Sequence, residues 1–362
     1  ALLGGTRRDL ERQVEQGFPY LPAGCHMELD RVASEVVLRS IRDAVPSQWK
    51  GRVDELRRHV NAGHPPTLRS FLQESGIELD DIYSNSRSWS DLKSDAGLEV
   101  HAAGPDEVPV RRAIGRLLHI DDEERASTFL DVLGQPVAPN VAELPERERR
   151  LMRMLLASLL DQAVSKDAGL QEGADLLWQH PQVRAELLEL LPVLAGRIDH
   201  LGGTLTSHLD VPLHLHARYT RREILAAFGV GSGSKVAPWQ TGVYWAPDAQ
   251  ADLFAFTLDK TAGSFSPTTR YRDYAISREL IHWESQGATR ADSKTGRRYR
   301  EHEAMGTSVM LFCRERVTDN AFWFLGPATY VNHIGERPMA ITWRLKTPLP
   351  GDLYTTIAAA VA

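Results

Sequence analysis

Two hydrophobic rhythms divide this chain. Up to about residue 210 the apolar positions recur at helical spacing. Leu29, Val32, Val36, Val37 and Ile41 do so between Glu28 and Val45, as do Leu151, Met154, Leu155, Leu159 and Leu160. Val183, Leu187, Leu190, Leu191 and Leu194 repeat the pattern, and Gly202-Gly203 stops it. Proline and glycine at Gly63–Pro66, Gly104–Pro105 and Pro136–Pro139 predict breaks between shorter helices. Thr220-Arg221-Arg222-Glu223 matches a capping box, ahead of a helix with Ile224, Leu225 and Phe228 on its apolar face and Gly229 at its end. After Gly233 the period shortens to two. Thr241–Trp245, Leu253–Leu258, Ser308–Arg314, Ala321–Val331 and Met339–Leu345 predict strands, the fourth broken by Gly326-Pro327. In the last of them Met339, Ile341, Trp343 and Leu345 alternate with Ala340, Thr342 and Arg344.

This pattern predicts an α plus α/β protein. An all-helical N-terminal domain over residues 1–205 is followed, over 206–362, by a curved-sheet or partly open β-barrel domain with flanking helices. A length of 362 residues accommodates two such domains, and no repeat marks a solenoid. With 42% hydrophobic and 25% charged residues, wholesale disorder is excluded. The chain has neither an apolar run near the ~18 residues of a membrane span nor a basic-then-apolar leader, so a reducing cytoplasm is expected. Opening on Ala1 rather than Met points to a piece of a longer product. Cys25 and Cys313 alone make neither a disulfide framework nor a zinc site.

Charge changes the picture. The whole chain carries −6, yet residues 211–362 hold 18 Lys and Arg against 14 Asp and Glu, a balance of +4 that leaves −10 for the first 210. Five of the eight tryptophans (Trp239, Trp245, Trp283, Trp323 and Trp343) also lie in this basic part. Two units with different partners are implied.

Several chemistries find no support. Gly229–Lys235 lacks the glycine that a P-loop places before its lysine, since Ser234 stands there, and reads as a flexible linker. His208, His214 and His216 form the densest histidine cluster, but no third ligand follows at metal-binding spacing, so they read as structural. Neither a metal nor a cofactor is expected, and no hydrolase or transferase signature occurs.

The stretch from Lys260 to Arg300 is different. Ser266, Thr268 and Thr269 are short hydroxyls beside Arg270, a combination suited to phosphate oxygens. Tyr271, Tyr274 and Trp283 are flat rings able to stack on a base, with His282 among them. Asp273, Glu284, Ser285 and Gln286 can hydrogen-bond a base edge, and a carboxylate is the natural acceptor for the exocyclic amine of cytosine. Arg290, Lys294, Arg297, Arg298 and Arg300 follow as a basic loop opposed by Asp292 alone, suited to a nucleic-acid backbone together with Lys260.

Longer motifs carry a resemblance. Leu215-His-Ala-Arg-Tyr-Thr-Arg-Arg-Glu-Ile224, Phe265-Ser-Pro-Thr-Thr-Arg-Tyr-Arg-Asp-Tyr-Ala-Ile-Ser277, His282-Trp-Glu-Ser-Gln286 and Arg337-Pro-Met-Ala-Ile-Thr-Trp-Arg-Leu345 resemble the uncharacterised domain that ends many bacterial superfamily-two helicase proteins. Gly17-Phe-Pro-Tyr-Leu-Pro-Ala-Gly-Cys25, Leu29-Asp-Arg-Val-Ala33 and Arg87-Ser-Trp89 are similar to the helical segment coupling that domain to the motor. Such proteins include type IV restriction enzymes that cut DNA carrying methylated or hydroxymethylated cytosine, and their terminal domain is compared with SRA domains, which flip a modified cytosine into a pocket. Nuclease and helicase motifs are absent here. The resemblance therefore implies coupler plus reader, as a fragment or a stand-alone member, with a helicase or nuclease in cis or in trans.

The expected activity is non-catalytic binding of double-stranded DNA containing modified cytosine, 5-methylcytosine first, in a nucleoid-associated cytoplasmic setting. Tyr271, Asp273, Tyr274, His282, Trp283, Ser285 and Gln286 are the candidate pocket residues. Lys260, Ser266, Thr268, Thr269, Arg270, Arg290, Lys294, Arg297 and Arg298 are the candidate backbone contacts. Two other classes compete: a protein-interaction module docking a motor or nuclease, and a nuclease using Asp273 and Glu284.

Overall fold

The computed structural model describes residues 48–359, apart from 105, 166, 200, 201, 204, 206–209, 232 and 259–272. The expected helix between Glu28 and Val45, the motifs Gly17–Cys25 and Leu29–Ala33, and His208 lie outside the described residues. An N-terminal helical region precedes a mixed, open sheet, an α plus α/β architecture. No helix among the described residues is long and apolar enough to cross a membrane.

The helices are α1 Trp49–Asn61, α2 Leu68–Ser75, α3 Leu79–Ile82, α4 Trp89–Ala96, α5 Glu107–Ala113, α6 Glu123–Leu133, α7 Glu146–Leu159, α8 Leu170–Trp178 and α9 Pro181–Ala195. The chain forms two compact units. One holds the residues up to 118 together with 176–196; the other holds 119–175 and 197–362. In the first unit Trp89 stacks on Phe71 at 5.5 Å between centroids, and both are fully buried. Glu186 accepts the backbone N–H groups of Trp89 and Ser90, each at 3.0 Å, satisfying buried donors at the start of α4 that have no partner within the helix.

The second unit holds β1 Arg218–Thr220, α10 Arg221–Ala227, β2 Val243–Ala246, β3 Ala251–Thr257, β4 Tyr274–Ala275, β5 Leu280–Glu284, α11 Lys294–Glu301, β6 Ser308–Arg314, β7 Ala321–Ile334, β8 Ala340–Leu345 and α12 Gly351–Ala359. The strands run β2-β3-β6-β7-β8-β5-β4, with β1 also on β7. β3 and β6 pair in parallel and the other described pairs are antiparallel. β7 continues through Gly326-Pro327 instead of breaking there. A register shift between Leu311 and Phe312 of β6 absorbs the irregularity, and Gly326 takes φ +96° against the Leu215 side chain. The predicted capping box at Thr220 and Glu223 is present, with the Thr220 N–H donating to the Glu223 carboxylate at 2.8 Å.

One face of the sheet carries a core cluster: Phe254, Trp283, Val309, Leu311, Ile341, Trp343 and Leu345 pack with Tyr299 of α11 and with Leu353 and Ile357 of α12. Within the Gly229–Lys235 stretch, Gly233 and Ser234 are pinned rather than flexible. Arg153 donates to the Gly233 carbonyl at 2.8 Å, and the Ser234 hydroxyl donates to the Gly169 carbonyl at 2.7 Å.

A buried ion network ties residues 119–125 to the start of the sheet. Arg125, with no exposed surface, pairs with Asp122 and with Glu223 (2.8 Å), donates to the Arg218 carbonyl at 2.8 Å and lies over the Tyr219 ring at 4.0 Å. His119 reaches Glu223 at 2.6 Å, and Asp121 holds the Arg218 side chain at 2.8 Å. Burial pushes the Glu223 carboxyl up, but His119 and Arg125 outweigh it and hold the group down at about 2.

Candidate functional site

β-strand alternation sorts the candidate residues. Ile281 and Trp283 of β5 and Ile341, Trp343 and Leu345 of β8 enter the core, so Leu280, His282, Glu284, Ala340, Thr342 and Arg344 face the other way. Those six are all half-buried or exposed. At this end of the sheet the second face is therefore open. The ladder aligns Asn332, Thr342, His282 and Tyr274 in one row across β7, β8, β5 and β4. Ile334, paired with Ala340, extends the row's neighbour and is 78% exposed.

Tyr274 and His282 form a stacked cross-strand pair, with ring centroids 4.7 Å apart and planes at 26°. Tyr274 lies on the outermost strand and is 36% exposed. Glu284 sits two residues from His282 on the same face, and Arg344 pairs with Glu279 at 3.6 Å. A ring pair, a carboxylate, hydroxyl and amide groups on an exposed sheet face can stack on a planar ligand and bond its edge.

The other pocket candidates take different places. Trp283 stacks on Phe254 at 4.3 Å in the core, so its ring faces away from the open side. Ser285 is fully buried and latches β5 to β8: its N–H donates to the Met339 carbonyl and its hydroxyl accepts the Met339 N–H, both at 2.9 Å. Asp273 is also buried, and its carboxylate accepts the Glu284 N–H at 3.0 Å. Gln286 is exposed. Tyr271, Lys260, Ser266, Thr268, Thr269 and Arg270 lie outside the described residues.

The expected basic loop is in large part a helix. Ser293 caps α11 by accepting the Gly296 N–H at 3.0 Å, and Tyr299 anchors it by burying its ring edge-on to Phe254. Arg290, Lys294 and Arg297 remain exposed. Arg298 does not join them. Its guanidinium makes a two-pronged pair with buried Asp252, at 2.6 and 2.8 Å, and lies over the Trp245 ring at 4.1 Å. The Asp252 hydrogen bonds push Arg298 further above its ordinary value. Arg300 donates to the Ala291 carbonyl at 3.2 Å, and Glu336 accepts the Ala291 N–H at 3.0 Å, which docks the loop before α11 to the β7–β8 turn.

Asn332, Thr342 and Ile334 were not among the candidates read from the sequence. The alternation of Ala340, Thr342 and Arg344 marked one face of β8, but only strand pairing shows that His282 shares it. His214, expected to be structural, pairs with Glu124 at 2.7 Å. Among the described residues no group of three or more His, Cys, Asp or Glu side chains could hold a metal ion.

Residues 213–357, which include the eight strands of the described residues, match the family model described as Domain of unknown function (DUF3427). No curated protein matches the chain.

Proposed function

We propose that the chain is a non-catalytic reader of double-stranded DNA containing modified cytosine, with 5-methylcytosine as the first candidate. The base leaves the stack and lies against the open sheet face. The observation that carries this reading is the stacked Tyr274–His282 pair at the outer edge of the sheet, with Tyr274 exposed and His282 half-buried. Base–aromatic stacking contributes about 1–3 kcal/mol per base, whereas one methyl group in a loose groove contact contributes only ~0.8 kcal/mol. An extruded base can be read over its whole edge, which a 5-methyl group in the groove cannot match. Glu284, on the same face as His282, takes the role of acceptor for the cytosine amine that the sequence had assigned to Asp273. Arg290, Lys294 and Arg297 supply exposed cations for the phosphates. The preference for a modified base rests on the helicase-associated resemblance.

Fluorescence anisotropy at two salt concentrations tests it, with a duplex bearing one 5-methylcytosine and its unmodified twin. The methylated duplex should bind more tightly at both salts, and both affinities should fall steeply as salt rises. His282→Ala should weaken the methylated complex by about 5- to 150-fold, the equivalent of one stacked base. Equal affinity for the twins would remove modified cytosine from the reading. Absence of salt-dependent binding would remove DNA altogether.

A further inference from the structure

At the other side of the sheet, two guanidiniums lie against one ring, and among the described residues neither is ion-paired. Arg314 ends β6 and Thr257 ends β3, at the carboxyl ends of the parallel pair. Arg314 donates from Nε to the Thr257 hydroxyl oxygen at 3.0 Å and from Nη1 to the Asp319 carbonyl. Arg221, the first residue of α10, donates from Nη1 to the Trp239 carbonyl at 3.1 Å. Both guanidiniums rest on one ring: Arg221 is 5.3 Å and Arg314 4.7 Å from the centroid of Phe322. Arg221 also lies 5.5 Å from the Trp239 ring.

Among the described residues neither arginine forms an ion pair, and the nearby Asp319 carboxylate accepts the Arg316 N–H at 2.7 Å. Arg221 Nε and Trp239 Nε1 are buried with no hydrogen-bond partner. Trp239 itself is only 6% exposed. Buried donors are ordinarily satisfied, and like charges against one ring repel. Burial, reinforced by the Arg314 charge, brings Arg221 down to about 10. The ring contacts offset only part of this cost. An anion drawn to both cations would offset the repulsion and accept from the idle donors.

We propose that this end of the sheet is a phosphate site, formed by Arg221 and Arg314 with the Thr257 hydroxyl and the Trp239 indole N–H. Two cations match a doubly charged phosphate. Donors from four separate side chains suit a tetrahedral set of oxygens better than a planar carboxylate, which one arginine fork would hold alone. The carboxyl ends of parallel strands are also where open α/β sheets commonly bind ligands. The site is separate from the Tyr274–His282 face and stands independently of the DNA reading. Its ligand is either a free phosphate or small phosphate ester, or a phosphate of a nucleic-acid backbone.

The test uses the full chain at constant ionic strength, with thermal unfolding followed as inorganic phosphate is added. Wild type should show a saturable rise in Tm of several degrees. Arg221→Gln and Arg314→Gln should each retain only the shallow, unsaturated rise that phosphate gives by exclusion from protein surface. Equal saturable responses in all three proteins would overturn the site. Should either glutamine variant fail to fold, calorimetry on the wild type decides: one phosphate per chain supports the site, and no heat at millimolar phosphate overturns it. Anisotropy with the unmodified duplex separates the two sources. A tenfold or larger loss in the variants places a backbone phosphate in the site, while unchanged duplex affinity with a lost phosphate response places a small phosphate there.

Discussion

Arg298 holds its charge inside the sheet domain rather than offering it at the surface. Asp252 has no exposed surface, and Arg298 is its ion-pair partner among the described residues. Breaking a buried pair from one side strands the other charge, which costs about 3–5 kcal/mol. Arg298→Ala should therefore lower folding stability by that amount in urea denaturation. Arg298→Met combined with Asp252→Leu, which removes both charges, should recover most of the loss. A single variant as stable as wild type would return Arg298 to the pool of surface cations. The run of cations around it was plain in the sequence. Composition could not show that this one folds back onto a carboxylate 46 positions earlier. The pair His282 and Trp283 makes the same point. Both rings were legible as candidates, but a one-residue step along a strand reverses the face, so the assignment waited on which side held the core.

At the scale of elements, the basic segment was expected to be a loop, whereas it is largely a helix with Gly296, a residue that weakens helices, in its middle. The structure explains the glycine by packing. A Cβ at position 296 would come 1.9 Å from the Arg290 carbonyl oxygen and 2.9 Å from the Ala291 Cα. α11 and the loop that precedes it touch backbone to backbone there. In an exposed helix, glycine to alanine gains about 1 kcal/mol. Here Gly296→Ala should cost about 1–3 kcal/mol by overpacking, measured by chemical denaturation, and a gain would show that the loop can move aside without penalty. Ser293, Gly296 and Tyr299 entered no reading of the sequence, because each takes its role from a partner in space. What the sequence lacked was the partner that made the glycine a contact. The strands fared better, because Ser308–Arg314 and the alternation in β8 are local patterns, whereas the three-residue β1 and two-residue β4 exist only through their neighbours.

At the scale of the molecule, helices read as one N-terminal domain are divided between the two compact units. Nothing in the spacing of α6 and α7 distinguishes them from α1 or α9. The distinction comes from Arg125 and its neighbours, whose charges are satisfied by residues about a hundred positions later. This network makes acid stability predictable. The Glu223 value is depressed, so its contribution is complete above the ordinary 4.5 and is lost as pH falls through about 2. Moving a buried carboxyl that far carries roughly 3 kcal/mol. Glu223→Gln should lose about that much at pH 7, and its stability should fall less than that of wild type between pH 4.5 and 2, followed by circular dichroism. His214 acts with the opposite sign: the Glu124 hydrogen bond raises it above 6.5, so its contribution is complete below 6.5 and is lost as pH rises through the raised value.

The same network fixes what a working piece of this protein must contain. A fragment over 206–362 keeps every residue of the family match but leaves Glu223, Tyr219 and Arg218 without Arg125, Asp121 and Asp122. The Glu223 carboxylate would then keep its capping role at Thr220 while losing both counter-charges. An uncompensated buried charge costs several kcal/mol, a large part of the usual 5–15 kcal/mol stability of a domain. That fragment should unfold at a markedly lower temperature than the full chain at pH 7 and be cut faster by protease. Its deficit should narrow when Glu223→Gln is introduced, because the stranded charge is then gone. A fragment as stable as the full chain would show instead that the sheet and its last helix form a self-sufficient unit, with residues 119–175 a cover rather than a part of its core.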